Sequence, residues 1–254
     1  MRKQSLYIQL LWRLTETELR ARYKNTVFGF VWLVANPLLQ MMIIGFVFPL
    51  FIREPVENYN AFLFTGLLVW NFFSLSLSKT TPAIVNERSL VKKASFARSV
   101  LPMSIIFSNL IHFLSALLLF CIPMAFEKNL TMWSLPYALL AIVLLTFFTS
   151  GISLLTCALN VKYRDVTFFV SALLIVWFYA TPIVYSLNQM PHSLLWLWQL
   201  NPLTSLVQIL QHAMAGADLP TPVMFVTNLI SSLVIFILGT VLFSIESKNF
   251  DDWI

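Results

Sequence analysis

Six stretches of this chain carry no Asp, Glu, Lys or Arg, and their lengths limit what it can fold into. They run for 28 residues between Lys24 and Arg53, 21 between Glu57 and Lys79, 28 between Arg98 and Glu127, 33 between Lys128 and Lys162, 52 between Asp165 and Asp218, and 27 between Asp218 and Glu246. A membrane-spanning helix needs about 20 apolar residues, and a charge at its centre costs roughly 2.5–3.5 kcal/mol. The runs predict spans near 27–52, 60–78, 101–125, 135–158, 166–185 and 223–244. Of the 254 residues 59% are apolar and 11% charged, against roughly 25% charged in a soluble domain. A soluble fold of this size could not hide so much apolar surface. That excludes a soluble globular protein, a disordered chain and a nucleic-acid-binding module. The expected fold is an all-α membrane protein with six transmembrane helices and a single membrane domain over residues 1–254.

The 52-residue run is too long for one helix. Its first part, 166–185, reads as a span. After Asn188 and Pro191 come two shorter apolar pieces, 193–200 and 203–215, split by Asn201-Pro202. The residue before a proline is pushed out of helical geometry, and pieces of this length are re-entrant or interfacial rather than spanning. Broken backbone at membrane depth is tolerated where protein or a water-filled cavity covers it. A re-entrant helical hairpin within 186–222, before the last span, is therefore expected. A seventh span over 194–215 is the alternative.

Lys and Arg set the orientation. Segment 1–26 holds six (Arg2, Lys3, Arg13, Arg20, Arg22, Lys24), segment 79–100 five, segment 159–165 two and the C-terminal tail one, which makes 14 of the 16. Only Arg53 and Lys128 fall on the other side. Six spans place both termini in the cytoplasm. The start does not read as a cleaved signal peptide, because its apolar stretch is short and charges resume at Arg13. Apolar residues at 6, 7, 10, 11 and 14 recur at helical spacing. Segment 1–26 is thus expected to be an amphipathic helix on the cytoplasmic leaflet.

Site chemistry is sparse. The six glycines, at 29, 45, 66, 151, 216 and 239, lack P-loop spacing, and no Gly-Lys pair occurs. If ATP drives this protein, a partner binds it. Cys121 and Cys157 lie in apolar runs and suggest neither a disulfide framework nor a zinc site. His112, His192 and His212 are far apart. A Ser-His hydrolase built on Ser150 or Ser153 with His212 lacks a second glycine after Ser153. Those small residues read instead as close-packing positions between membrane helices. The spans hold essentially no acid, which argues against ion-coupled transport. His112, the main candidate there, reads as a hydrogen-bonded packing residue.

Segment 79–100 is the most informative cytoplasmic stretch. Pro82 suits a first helical turn, and Ile84, Val85, Leu90 and Val91 alternate with Glu87, Arg88, Lys92 and Lys93. It is either a short amphipathic helix that docks a soluble partner or a basic loop held against anionic lipid. Aromatic residues make up 15% of the chain. Trp32, Trp70, Phe72, Phe73, Trp177, Phe178 and Tyr179 lie in or near spans. They either line a glycan path, where rings stack on sugar faces, or form interfacial belts.

Four stretches together resemble one family. They are Glu18-Leu-Arg-Ala-Arg-Tyr-Lys-Asn-Thr-Val-Phe-Gly-Phe-Val-Trp-Leu-Val-Ala-Asn-Pro37, Gly66-Leu-Leu-Val-Trp-Asn-Phe-Phe73, Asn160-Val-Lys-Tyr-Arg-Asp165, and Thr181-Pro-Ile-Val-Tyr185 with Leu200-Asn-Pro202. In this order the sequence is similar, over nearly its whole length, to permease subunits of type-2 ABC transporters that export polysaccharides. These export O-antigen, teichoic acid or capsule. One departure is Ala97 in Phe96-Ala97-Arg98, where the resemblance leads us to expect proline.

The resemblance implies a homodimeric inner-membrane permease that is not itself an enzyme. It implies two copies of a separate ABC ATPase, which would hold ATP and Mg, so that this chain binds no cofactor. The substrate implied is a polyprenyl-diphosphate-linked polysaccharide, an O-antigen first and a capsule or teichoic acid as the alternative, ahead of a small lipid or drug. Segment 82–95 would be the coupling helix, with Ile84, Asn86, Glu87, Arg88, Leu90, Lys92, Lys93, Phe96 and Arg98 at the ATPase. Tyr163, Arg164 and Asp165 would close the cytoplasmic end beside it. Pieces 193–215 would cap the channel on the outer side. By position and charge, Arg13, Arg20, Arg22 and Lys24 would hold the lipid diphosphate. Trp32, Trp70, Phe72, Phe73, Trp177, Tyr179 and Tyr185 would line the glycan path.

Overall fold

The computed structural model describes residues 2–24, 26, 29–48, 58–93, 96–126, 135–191, 193 and 195–253. Arg53, Lys128 and His192 therefore lie outside the described residues, as do parts of the first expected span. The described residues are mostly helical, with no strand among them. In chain order they are α1 (Arg2–Tyr23), α2 (Trp32–Val47), α3 (Tyr59–Thr80), α4 (Ala83–Asn86), α5 (Arg88–Lys93), α6 (Val100–Phe126), α7 (Leu135–Lys162), α8 (Val166–Tyr179), α9 (Leu195–Leu200), α10 (Pro202–Ala215), α11 (Pro222–Glu246) and α12 (Phe250–Trp253). Four of them, α3, α6, α7 and α11, are long and apolar enough to cross a membrane. The apolar helices α2 and α8 are shorter, at 16 and 14 residues. At 1.5 Å per residue α8 spans about 21 Å, less than the roughly 30 Å of a hydrocarbon core.

Local chemistry explains where these helices stop. Helix α8 ends at Tyr179 because Pro182 follows the Ala180-Thr181 turn. The Asn201-Pro202 break is real. Asn201 is extended, its side chain accepts from the Leu203 N–H, and Pro202 occupies the first turn of α10. Gly216 ends α10 at φ 71°, a left-handed geometry that suits a residue without Cβ. Thr221 caps α11 by accepting from the Met224 N–H, again with proline in the first turn.

The core lies where α3, α6, α7 and α10 meet. Phe73 is fully buried, stacked on Phe148 and edge-on to Trp177. Helix α10 is buried on nearly all sides against α3, α7 and α11. Helices α7 and α11 make the most extensive pairing, crossing at Gly151 and Gly239.

Two amides, one half-buried and one fully buried, fasten the irregular segment 180–185. Asn201 donates to the Ala180 carbonyl (3.1 Å) and the Thr181 hydroxyl (3.0 Å), and accepts from Trp177 Nε1 (3.0 Å). Gln211, fully buried on α10, donates toward the carbonyls of Phe62 and Pro182, both at 3.3 Å. Gly66 makes room for it: a Cβ there would lie 2.9 Å from Gln211 Nε2. The second and fourth sequence motifs thus meet in space.

The N-terminal helix forms as expected and has a protein partner. It runs alongside α6 in the same direction, pairing Tyr7 with Ser99, Thr15 with Ser104, Arg22 with Asn109 and Tyr23 with His112. Ile8 and Trp12 remain exposed on its flank.

Candidate substrate and coupling sites

The pairing of α1 with α6 carries polar side chains inward and encloses a cavity of about 370 Å³ between α1, α2, α3 and α6. Arg22 donates to Asn109 Oδ1, and Asn109 in turn donates to Ser76 Oγ (3.1 Å). The Tyr23 hydroxyl is hydrogen-bonded to His112 Nδ1 at 2.7 Å, and His112 also lines the cavity. Asn71 donates to Gln40 Oε1 (3.0 Å) across α2 and α3. Trp32 and Lys79 complete the wall. The cavity therefore offers two cations, several amides and one indole face. Burial lowers the pKa of Arg22, opposed by the neighbouring Tyr23 and Glu18, yet a guanidinium stays protonated in proteins. Burial also raises the Tyr23 phenol, opposed by Arg22.

Of the four cations expected at a diphosphate, the structure turns only Arg22 inward. Arg13 and Arg20 have side chains 80% and 79% exposed and pair with Glu16 on the outer face of α1. Lys24 is exposed. Lys79, Asn109, Asn71 and Gln40 join Arg22 instead. In the sequence Lys79 marks a span boundary and Asn71 falls in the Gly66–Phe73 motif, and only the packing of α1, α2, α3 and α6 brings these side chains together.

The expected aromatic path divides. Trp32 and Phe72 line the inner cavity. Trp70 and Tyr179 line a more open groove of about 410 Å³ between α2, α3 and α8, which shares Gln40, Asn71 and Ser74 with that cavity. Phe73 and Trp177 sit in the core stack. Tyr185 donates to the Tyr179 carbonyl (2.8 Å) and accepts from Trp198 Nε1 (2.9 Å), which fixes the segment after α8.

The expected coupling segment forms two short helices rather than one, because α4 ends at Asn86 and α5 begins after Glu87. Ile84 and Val91 are buried in a cluster with Leu101, Leu154, Cys157, Val161, Phe243 and Phe250, on which Leu90 and Phe96 pack. That leaves Asn86, Glu87, Arg88, Lys92 and Lys93 exposed on the outer face. Tyr163, Arg164 and Asp165 are likewise exposed, in the turn from α7 to α8. Arg98 points away from this face. Its guanidinium donates to the Ser247 carbonyl and lies over the Phe250 ring, 6.0 Å from its centroid. Lys162 sits over Tyr163 and Trp253 at 5.4 and 5.3 Å. The C-terminal turn thus forms part of the floor beneath α4 and α5.

Comparison with known proteins gives a consistent answer. The sequence profile described as ABC-2 type transporter matches residues 9–215. The chain is 36% identical over 202 residues to an O-antigen export system permease protein RfbA of Klebsiella pneumoniae, covering 78% of this chain and 77% of that protein. It is 35% identical over 206 residues to an RfbA permease of the same name from Myxococcus xanthus, covering 79% and 78%.

Proposed function

The chain belongs to the ABC-2 type transporter family, and on that premise we propose that it is the permease subunit of an ATP-driven exporter of lipid-linked polysaccharide. The substrate is a polyprenyl-diphosphate-linked O-antigen, carried outward across the bacterial inner membrane. The names of the relatives support this substrate. The observation that carries it is the inner cavity, where Arg22 and Lys79 stand beside amides and Trp32. Two cations suit a diphosphate, amides suit sugar hydroxyls, and an indole suits a sugar face or an isoprenoid.

In this reading two copies of the chain form the membrane path, and an ABC ATPase docks on each. ATP and Mg are bound by the ATPase, and the permease does no chemistry. The exposed strip Asn86, Glu87, Arg88, Lys92 and Lys93, with Tyr163, Arg164 and Asp165, meets the ATPase. Helices α2 and α8 add two spans to the four long ones, with both termini cytoplasmic. Helices α9 and α10 form the re-entrant cap on the outer side. Helix α1 presents Ile8 and Trp12 to the cytoplasmic leaflet.

Mild-detergent purification of the chain from its own cells tests this. The expected result is a stoichiometric Walker-containing partner whose ATP turnover rises with lipid-linked polysaccharide. A chain that purifies without any ATPase contradicts it.

A further inference from the structure

Lys79 lines two cavities at once. On one side is the inner cavity, shared with Arg22, Trp32 and Asn109. On the other is a space of about 520 Å³ between α1, the end of α3, α4 and the start of α6, where Glu18 and Glu87 stand with Ser78, Asn86 and Leu90. The two spaces differ in charge. The first is lined by Arg22 and Lys79 with no carboxylate among its described lining residues, and the second by two carboxylates and Lys79. A lysine ammonium on a four-carbon stem can turn to either. Among the described residues neither Lys79 nor Glu18 is locked in an ion pair within 4 Å.

Its place in the chain gives this a mechanical consequence. Lys79 is in the last turn of α3, three residues before Pro82 and α4. The turn between them is stiff. The Thr80 hydroxyl donates to the Ser76 carbonyl and the Thr81 hydroxyl to the Leu77 carbonyl, both at 2.7 Å, and Thr81 also bonds Thr156 at 3.0 Å. Glu18 lies on α1 and Glu87 at the α4–α5 junction. A cation that reaches both carboxylates links those elements.

We infer that Lys79 is the positioning residue through which occupancy of the inner cavity reaches the coupling segment. Without a bound diphosphate its ammonium is free to turn to Glu18 and Glu87. A bound diphosphate draws it inward and removes that link between α1 and the α4–α5 junction. This rests on the reading of the inner cavity as a lipid-diphosphate site.

The test uses the chain with its co-purified ATPase in nanodiscs and farnesyl diphosphate as the probe, with probe binding and ATP turnover measured separately. The wild-type complex binds the probe and is stimulated about fivefold, a usual size for coupling between sites. In Glu18→Gln the probe still binds within about twofold, because Glu18 lies outside the inner cavity, but stimulation falls to about onefold. Lys79→Gln also loses stimulation, and Lys79→Arg, which keeps the cation, retains it. A Glu18→Gln complex that binds the probe and is stimulated like wild type overturns the relay and leaves the cavity reading standing. A wild-type complex that does not bind farnesyl diphosphate overturns both.

Discussion

Gly151 on α7 and Gly239 on α11 face each other in backbone contact: a Cβ on Gly239 would overlap the Gly151 carbonyl, and one on Gly151 would lie 2.5 Å from Phe236 Cα. Small residues let membrane helices approach this closely, and α7 and α11 pair more extensively than any other two helices described. Gly239→Ala has backbone in its way, with no flexible side chain to yield. It should destabilise the protein by about 3 kcal/mol or more, at or beyond the upper end of ordinary overpacking. Gly45→Ala is the control, because a Cβ there meets only ordinary contacts at 3.6 Å. It should be neutral or stabilise α2 by up to about 1 kcal/mol. Thermal unfolding of the two purified variants checks the contrast.

Asn201 joins three elements, accepting from Trp177 and Leu203 and donating to Ala180 and Thr181. Asn201→Leu loses the helix cap and leaves partly buried partners unsatisfied. Its cost should be about 2–4 kcal/mol. Asn201→Asp keeps the cap and the Trp177 acceptor but loses both donations, so its loss should be smaller. Proteolysis within 180–201, compared across wild type and both variants, orders them.

The charge-free runs located the long helices within a few residues: 60–78 against Tyr59–Thr80, 101–125 against Val100–Phe126, and 223–244 against Pro222–Glu246. That signal is strong because burying charge in lipid is costly wherever the chain runs. The break at Asn201-Pro202 was legible for a similar reason, since proline constrains the backbone locally. Which way a charge points was not legible. Arg20 and Arg22 are two residues apart on one helix, yet one pairs with Glu16 outside and the other reaches Asn109 inside. That difference depends on which face of α1 meets α6. Gly151 read as a packing residue, but its partner Gly239 is 88 residues away, and nothing local links them. The turn at Glu87 follows from tertiary burial of both Ile84 and Val91 against α7 and α11, which an amphipathic pattern alone does not specify.

The inward and outward arginines separate in function. Arg22→Gln should lower export about tenfold, the scale of one lost charge-assisted contact, and Lys79→Gln should do the same. Arg13→Gln and Arg20→Gln should stay within about twofold of wild type, because exposed ion pairs contribute little. Surface polysaccharide per cell, normalised to permease abundance, is the readout.

The proposed coupling face has a similar division. Exchanging Glu87 and Arg88 for each other leaves the buried cluster intact, since both side chains are exposed. The exchange should weaken ATPase docking about tenfold with unchanged thermal stability. Ile84→Ala empties a fully buried position and should cost about 2–5 kcal/mol of stability. Co-purification yield and melting temperature, measured on both variants, distinguish the two effects.

The central claim is tested most directly by removing this chain from its own cells and fractionating the polysaccharide they make. The account predicts that polymer disappears from the surface and accumulates on the cytoplasmic side still joined to polyprenyl diphosphate, with export restored by the wild-type chain. Surface polysaccharide at normal levels without the chain would contradict it.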